Sequence, residues 1–247
     1  MSATEPRIAT LSDLRRAAAR GRQTLLPKQP KILVGMGSCG LATGADEVLA
    51  AIRDEVQRQR LSHLVAATGC IGWCCQEPLV DLCLPDQPRV TYGGMDAQRA
   101  RELVWGLSAG DLKTQWAVGL MTEFANPLTG HPTRYSNPAA RLDGVPRYQD
   151  LALFRSQVRW ATRNCGAIDP SCLEEYIARS GYLALYWALH RLTPQAIISE
   201  VTNSGLRGRG GAGYSTGKKW EAMQQQAVLP KYIVCNGDEG DPGAYMD

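Results

Sequence analysis

A basic stretch dense in glycine, near the C-terminal end of the sequence, restricts most strongly what this chain can fold into. Residues 205–219 contain six glycines, two arginines and two lysines. Glycine lets the main chain approach a ligand closely, and successive free N–H groups beside Arg and Lys can hold phosphate oxygens. The stretch therefore predicts a backbone surface that binds an anion.

A second candidate ligand-binding edge follows shortly after this stretch. The apolar run 232–235 has the composition of a strand, and it leads into an acidic turn, 236–243, that carries Asn236, Asp238, Glu239 and Asp241. Amide and carboxylate groups at the end of a strand can hydrogen-bond the hydroxyls and ring nitrogens of a nucleotide-like cofactor. The two segments together predict a cofactor site.

The glycine spacing also matches a familiar dinucleotide-binding fingerprint, but only in part. Gly208, Gly210 and Gly213 satisfy G-x-G-x-x-G, a motif that requires a strand before it and a helix at its end. The preceding segment, 193–202, has instead the pattern of a helix, because Thr193 can cap it and its apolar residues fall on one face. An ordinary Rossmann fold is therefore disfavoured.

A P-loop and a flexible linker are two competing interpretations of this stretch. The step from Gly217 to Lys218 resembles the G-K of a P-loop, but Lys219 stands where a Ser or Thr must bind Mg²⁺. A flexible linker rarely carries a tryptophan followed by an ordered acidic turn, and Trp220 stands directly after the lysines here. Both interpretations stay open, although the residues disfavour them.

The two motifs together, 205–220 and 231–243, closely resemble the flavin-carrying F subunits of NADH-quinone oxidoreductase, which is respiratory complex I. The resemblance extends upstream through 169–182, as in the branch found in NAD-linked hydrogenases and formate dehydrogenases. It implies an NADH-oxidising or NAD-reducing flavoprotein subunit that passes electrons between NAD(H), FMN and iron–sulfur centres. The alternative function is a non-catalytic docking or electron-transfer module.

The resemblance also implies which residues form the flavin site. Glu239 and Asp241 would face the flavin or the nicotinamide, and they are the candidate catalytic residues. Tyr214 replaces a phenylalanine of the family, so an aromatic ring is kept for stacking. The residues that would bind the cofactors are Gly208, Arg209, Gly210, Gly211, Gly213, Tyr214, Thr216, Gly217, Lys219, Asn236, Asp238, Glu239 and Gly240.

An α/β unit is predicted over 31–109 from the hydrophobic periodicity. Strands are expected at 31–36 and 64–67, a hairpin at 79–84 and 89–92, and helices at 45–58 and 96–106. The order of these elements and the loop from Cys70 to Cys74 resemble the thioredoxin-like ferredoxin domain of the hydrogenase-like branch. The fold class is therefore α/β, with a thioredoxin-like domain, a helical connector and the start of an FMN-binding α/β domain.

Eight cysteines without a secretion signal indicate reduced thiols or metal ligands rather than disulfides. The resemblance implies a [2Fe–2S] cluster held by two cysteine pairs. Cys70 and Cys74 match the second pair, but Gly35 and Gly40 stand at the first, and Cys39 is one residue out of register. Because such a cluster needs four thiolates, we expect it to be lost, although a shifted ligand set with Cys75 stays open. The remaining cysteines are expected to be buried as small apolar residues: Cys83, Cys165, Cys172 and Cys235.

The other segments complete the domain organisation. Residues 1–30 are expected to be an extension with a short solvated helix, and 110–150 an irregular linker rich in Pro and Gly. Residues 151–204 are expected to be a helical connector with helices at 153–161, 171–180, 183–191 and 193–202. Residues 205–247 would begin the FMN/NADH-binding domain, and the sequence is expected to be truncated before a C-terminal [4Fe–4S] cluster.

Charge and hydropathy exclude two classes of partner. A net charge of +3 and the lack of a basic tract beyond the glycine stretch argue against nucleic acid. No apolar run approaches the roughly 20 residues of a membrane span. Neither class of partner is therefore expected. The resemblance implies a cytoplasmic protein, peripheral to the inner membrane at most, whose partners are subunits of an NAD-linked hydrogenase, a formate dehydrogenase or a complex I-like assembly.

Overall fold

The computed structural model describes residues 8–25, 27–125, 132–134, 142–159 and 161–237 of the chain. The chain divides into two compact units, Met1–Ser180 and Gly181–Asp247, and the division falls inside the expected connector. Within the described residues, no helix is both long enough and apolar enough to cross a membrane.

The first unit is built on a five-stranded sheet. Its strands are β1 Lys31–Gly35, β2 Leu64–Thr68, β3 Val80–Cys83, β4 Arg89–Tyr92 and β5 Ala117–Met121. They lie in the order β2-β1-β3-β4-β5, with β1 parallel to β2 and all other neighbours antiparallel. A parallel pair followed by an antiparallel hairpin, in the order β2-β1-β3-β4, is the thioredoxin-like arrangement, so the predicted α/β fold class is confirmed.

Three helices accompany this sheet, of which the periodicity predicted the second and the third but not the first. Helices α2 Ser38–Ala42 and α3 Ala45–Arg58 form the crossover that a parallel strand pair requires, and α4 Ala97–Ser108 follows the hairpin. The side chain of Asp96 caps α4 by accepting a hydrogen bond from the N–H of Arg99 at 2.8 Å. The core between sheet and helices consists of aliphatic side chains and one tyrosine, which include Ile32, Val34, Val48, Ile52, Leu82, Tyr92 and Leu103.

The N-terminal helix is packed rather than solvated, contrary to expectation. Helix α1 Leu11–Leu25 lies against α6 Leu173–Ala178. The two helices approach so closely at Gly21 that an added Cβ atom would lie 2.1 Å from the carbonyl oxygen of Glu174. The buried face of α1 consists of small and aliphatic residues: Leu14, Ala17, Ala18, Gly21 and Leu25.

The segment expected to be an irregular linker, 110–150, contributes strands instead. It supplies β5, which pairs antiparallel with β4, and a separate two-stranded sheet of β6 Glu123–Ala125 and β7 Pro132–Arg134. After it, α5 Ala152–Arg155 is shorter than the helix predicted at 153–161. The sequence predicts Asp169 or Ser171 as the cap of the helix expected at 171–180, but α6 begins after Cys172 without a side-chain cap.

The second unit is helical in its described part. It contains α7 Leu183–Arg191, α8 Pro194–Asn203 and α9 Thr216–Gln224. Thr193 caps α8 as predicted, because its hydroxyl accepts a hydrogen bond from the N–H of Ala196 at 3.2 Å. The predicted strand 232–235 is wrong, since those residues are exposed and form no strand with the rest of the described chain. Four apolar side chains in and beside α7, which the sequence predicts to be core residues rather than cofactor contacts, are 41% to 71% exposed: Tyr182, Leu185, Trp187 and Leu189.

Candidate functional site

The glycine loop, residues 205–215, is closed at its base by main-chain pairing. Arg207 and Ser215 form an isolated antiparallel bridge. The N–H of Gly208 donates to the carbonyl of Tyr214 at 2.9 Å, and the N–H of Thr216 donates to the carbonyl of Leu206 at 3.0 Å. These bonds hold the intervening residues as one defined loop.

The tip of the glycine loop presents unpaired main-chain donors. The N–H groups of residues 209–213 donate no hydrogen bond to any described part of the chain. Gly211 and Gly213 have φ of +94° and +59°, a left-handed conformation that glycine adopts without strain. A Cβ atom placed on Gly210, Gly211 or Gly213 would meet no atom within 4 Å, so the loop faces open space rather than packed protein. Successive unpaired N–H groups of this kind are suited to an anion.

Helix α9 starts directly at the base of the loop and directs one lysine back towards it. Ser215 is its N-cap, and its hydroxyl accepts a hydrogen bond from the N–H of Lys218 at 3.4 Å. The ammonium nitrogen of Lys219 lies 3.8 Å from the position that a Cβ atom would take on Gly208. A helix N-terminus carries a partial positive charge, which adds to that of the lysine.

A cavity of about 610 Å³ lies between the glycine loop, α9 and the segment 232–236. This is the size of a site for a cofactor or drug-sized molecule. The lining combines loop glycines, two cations, two aromatic rings and an apolar wall: Gly208, Arg209, Gly210, Thr216, Lys219, Trp220, Met223, Tyr232, Ile233, Val234, Cys235 and Asn236.

The structure brings together one part of the predicted flavin site and separates another part from it. Six of the predicted residues line the cavity: Gly208, Arg209, Gly210, Thr216, Lys219 and Asn236. Gly217 faces α8 instead, Tyr214 is 52% exposed, and Gly211 and Gly213 lie on the loop outside the lining. The other predicted residues lie outside the described part of the chain: Asp238, Glu239, Gly240 and Asp241.

Several lining residues were missed by the sequence reasoning. On α9 the cavity is lined by Thr216, Lys219, Trp220 and Met223, which follow the spacing i, i+3, i+4 and i+7 of one helix face. That spacing is present in the sequence and could have added the two apolar residues to the site. Cys235, which was expected to be buried, is exposed and lines the cavity.

A second candidate site is the thiol cluster of the first unit, which consists of Cys39, Cys70 and Cys74. The Sγ atoms of Cys70 and Cys74 are 3.9 Å apart, and Cys39 hydrogen-bonds the Cys74 thiol. Cys70 is buried, Cys74 is partly exposed, and Cys75 points to solvent. Burial raises the pKa of the Cys70 and Cys74 thiols, and the nearby Glu77 carboxylate contributes to the increase.

The carboxylate of Glu77 occupies the space beside the thiol cluster where β1 ends and α2 begins. A Cβ atom on Gly35 would lie 3.2 Å from Oε2 and 3.3 Å from Oε1 of Glu77, and one on Gly40 would lie 3.2 Å from Oε2. Oε2 accepts a hydrogen bond from the N–H of Leu79 at 2.7 Å, whereas Oε1 has no partner among the described residues. Burial raises the pKa of this carboxyl group.

These residues do not fit a [2Fe–2S] cluster with four thiolate ligands. Three thiols converge, and a carboxylate fills the space beside Gly35 and Gly40, where the first cysteine pair was expected. Among the residues that the structure describes, no group of three or more His, Cys, Asp and Glu side chains is arranged to hold a metal ion.

Comparison with known proteins links the glycine loop to a flavin-binding family. Residues 201–247 match the family model described as the Nuo51 FMN-binding domain. NADP-reducing hydrogenase subunit HndC from Solidesulfovibrio fructosivorans is 50% identical over 93 residues, which are 38% of this chain and 19% of that protein. The second F subunit of NADH-quinone oxidoreductase in Rhizobium meliloti is 48% identical over 85 residues, 34% of this chain and 20% of that protein.

The thioredoxin-like [2Fe-2S] ferredoxin from Aquifex aeolicus is among the similar solved structures. It matches with a TM-score of 0.34 and 21% identity, over 37% of this chain and 97% of that chain. The chain spans about a fifth of the length of the two curated relatives. The resemblance to the F subunits of NADH-quinone oxidoreductase is confirmed for this part, and the comparisons give no support to a non-enzymatic docking module.

Proposed function

We propose that this chain provides the glycine-loop side of an FMN site in an NADH-oxidising or NAD-reducing subunit. The observation that carries the proposal is the single cavity between the glycine loop, α9 and the segment 232–236. Residues of the first motif and the described beginning of the second line this cavity, and the match of 201–247 to an FMN-binding domain supports the proposal.

The loop end of the cavity fits the phosphate of FMN. Arg209 and Gly210, whose N–H groups are unpaired, line this end of the cavity together with Lys219, so main-chain donors and two cationic side chains surround one opening. The unpaired N–H groups of residues 211–213 continue this row of donors along the tip of the loop. Hydrogen bonds to charged groups contribute about 1.5–3 kcal/mol each, which is more than neutral ones do. No acidic residue lies between 205 and 220 to oppose them.

The far wall of the cavity fits a flat, largely apolar ring system. Trp220 and Met223 come from α9, and Tyr232 and Ile233 come from the extended segment. Aromatic side chains bind planar rings through offset or edge-to-face contact, and the methionine thioether adapts to the remaining space. Asn236 supplies an amide that can donate to one ring or ribityl atom and accept from another.

When bound, FMN supplies the chemistry, namely hydride exchange with NAD(H) and transfer of single electrons onward. The residues of this chain bind the phosphate, orient the ring and shield one side of it from water. Glu239 and Asp241 stay proposed as the groups nearest to the reacting rings. Electrons would then pass to iron–sulfur centres, with a [4Fe–4S] cluster in a part of the protein beyond this sequence.

The proposed setting is a multi-subunit oxidoreductase of the hydrogenase, formate dehydrogenase or complex I type. The chain would lie on the cytoplasmic side, held near a membrane only through partner subunits. The first relative is named as a hydrogenase subunit and the second as a quinone oxidoreductase subunit. The NAD(H)-linked flavin step is the part of the reaction that both kinds of relative suggest for this chain, whatever the final electron donor or acceptor.

Titration with FMN and with riboflavin tests this assignment, followed by quenching of flavin fluorescence. Riboflavin has the same ring but no phosphate, so the loop end of the cavity predicts that FMN binds at least tenfold more tightly. Anaerobic addition of NADH to the FMN complex should then bleach the flavin absorbance. Equal affinity for the two flavins would refute the phosphate assignment, and bound flavin that NADH does not bleach would refute the NADH-linked function.

A further inference from the structure

We propose that Cys70 and Cys74 form a reversible disulfide, which makes the thiol cluster a dithiol redox centre in place of a metal site. This inference is independent of the flavin proposal, because it concerns the first unit alone. Three thiols converge beside one carboxylate in this unit, and a site with four thiolate ligands does not explain that arrangement.

The two sulfur atoms lie close enough together to form a bond after a local adjustment. The Sγ atoms are 3.9 Å apart, whereas a disulfide bond measures about 2.05 Å, so side-chain rotation and a small loop adjustment must supply the difference. Cys70 lies in the loop after β2, and Cys74 begins the short 3₁₀ helix Cys74–Gln76 at the end of that loop, with Gly72 between them at φ of +86°. Glycine gives that loop the backbone freedom to adjust, and only a short ring of residues has to close.

Glu77 disfavours the alternative to a disulfide, which is an iron–sulfur cluster with four thiolate ligands. Its buried carboxylate lies within 3.3 Å of the positions that Cβ atoms on Gly35 and Gly40 would take. When this group is ionised it repels a cluster of thiolates, which is itself anionic, and when it is protonated it still fills the space of the first cysteine pair. An uncharged disulfide is tolerated beside it in both cases. The site therefore suits a pair of sulfurs that are neutral in both redox states.

The two thiols differ in access, which assigns their order in the reaction. Cys74 is partly exposed, and Cys70 is 3% exposed. An external disulfide can therefore reach Cys74 first, and Cys70 acts as the internal resolving thiol. Cys39, in α2, also contacts Cys74. A disulfide between Cys39 and Cys74 would link two segments that are far apart in the sequence, whereas a disulfide between Cys70 and Cys74 closes only a short ring.

The oxidant is a small-molecule disulfide, and the exchange is balanced in two steps. The Cys74 thiol loses its proton and attacks one sulfur of the small disulfide, which releases one thiolate and leaves a mixed disulfide on Cys74. The Cys70 thiol then loses its proton and attacks Sγ of Cys74, which releases the second thiolate. The two released thiolates take up the two protons, and two electrons have passed from the cysteine pair to the small disulfide.

Redox titration of the chain tests the proposal. The protein is equilibrated without oxygen in mixtures of oxidised and reduced dithiothreitol, free thiols are alkylated, and the peptides are analysed by mass spectrometry. Cys70, Cys74, Cys75 and Cys83 lie between Arg60 and Arg89 and fall in one tryptic peptide, so fragmentation must locate the bond. The expected result is a two-electron transition that protects Cys70 and Cys74 together.

Matched variants separate this pair from the neighbouring thiols. Cys75→Ser should titrate like the wild-type chain, because Cys75 is exposed and outside the thiol cluster. Cys74→Ser should lose the two-thiol transition, and circular dichroism should show that it is folded, since this side chain is not in the core. A transition that survives Cys74→Ser, or a bond that maps to Cys39 or Cys75, would overturn the assignment.

Reconstitution with iron and sulfide provides an independent test. The wild-type chain, treated without oxygen, should gain no stoichiometric [2Fe–2S] absorbance, and its two-thiol transition should be unchanged afterwards. A stoichiometric, reducible [2Fe–2S] signal that Cys74→Ser abolishes would overturn the dithiol proposal.

Discussion

Replacing Lys219 by alanine should weaken FMN binding far more than the same replacement of Lys218. The two lysines are adjacent and carry the same charge, so a generic basic surface would treat them alike. Consecutive residues on a helix point about 100° apart, and only Lys219 lines the cavity and reaches towards Gly208. Lys218 lies outside the lining, although both lysines are exposed to solvent.

The magnitude follows from the kind of contact that each lysine can make. A hydrogen bond to a charged group contributes about 1.5–3 kcal/mol, so Lys219→Ala should raise the Kd for FMN by about ten- to a hundredfold. A solvated charge without direct contact contributes roughly 1 kcal/mol or less, so Lys218→Ala should raise it by less than about fivefold.

The assay is the fluorescence titration with FMN at one fixed ionic strength, with circular dichroism to establish that both variants are folded. Lys219→Arg keeps the charge and part of the reach, and it should recover some of the lost affinity. If the two alanine variants bind FMN equally weakly, the specific role of Lys219 is refuted and only a charged loop remains.

Two further predictions concern the stability of each unit, measured by urea unfolding. Gly217→Ala should lower the free energy of unfolding by about 1–3 kcal/mol, because the new Cβ atom would lie 2.1 Å from a threonine oxygen of α8. Gly210→Ala is the control: its Cβ atom meets only open space, so it should lower the free energy of unfolding by less than about 1 kcal/mol. Glu175→Ala should lower the free energy of unfolding by about 3–5 kcal/mol, because it leaves the buried Lys31 ammonium without its carboxylate partner at 3.2 Å. Glu174→Ala is the control: it removes an exposed ion pair, so it should lower the free energy of unfolding by less than about 1 kcal/mol. Equal losses within either pair of variants would contradict the reasoning.

The elements of 31–109 could be predicted from the sequence because their patterns are local. Helix α3 was predicted with the bounds that it has, since its apolar residues recur at helical spacing and its first turn is acidic. The strands of the hairpin were placed within one or two residues, because alternating apolar runs are separated by the turn around Asp86.

Strand β5 could not be predicted because it depends on contacts with residues that are distant in the sequence. Ala117–Met121 is a short apolar run with a glycine in the middle, and it becomes a strand by pairing with β4. The glycine itself is required by a distant residue, since a Cβ atom on Gly119 would lie 2.4 Å from the ring of Tyr148. Contacts between residues so far apart leave no periodic pattern in the sequence.

The difference between local patterns and distant contacts also decides which parts of the two candidate sites could be predicted. The density of glycine and basic residues predicted the anion-binding loop, because main-chain N–H groups need only a backbone that exposes them. The position of Glu77 beside Gly35 and Gly40 could not be predicted, since it depends on how the loop after β2 returns across β1. The apolar side chains of α7 show the opposite error, because apolar residues on a helix were interpreted as a core face and the side chains are exposed.

The main-chain closure of the glycine loop has a consequence for how fast a ligand is captured. Because the base is already hydrogen-bonded, the tip does not have to fold around an arriving molecule. The rate at which a phosphate monoester binds should then be set by diffusion in the electric field of four cationic side chains, namely Arg207, Arg209, Lys218 and Lys219. No acidic residue between 205 and 220 weakens that field. Added salt should slow association as the Debye length falls to about 10 Å at 0.1 M, while the rate of escape stays governed by the contacts inside the cavity.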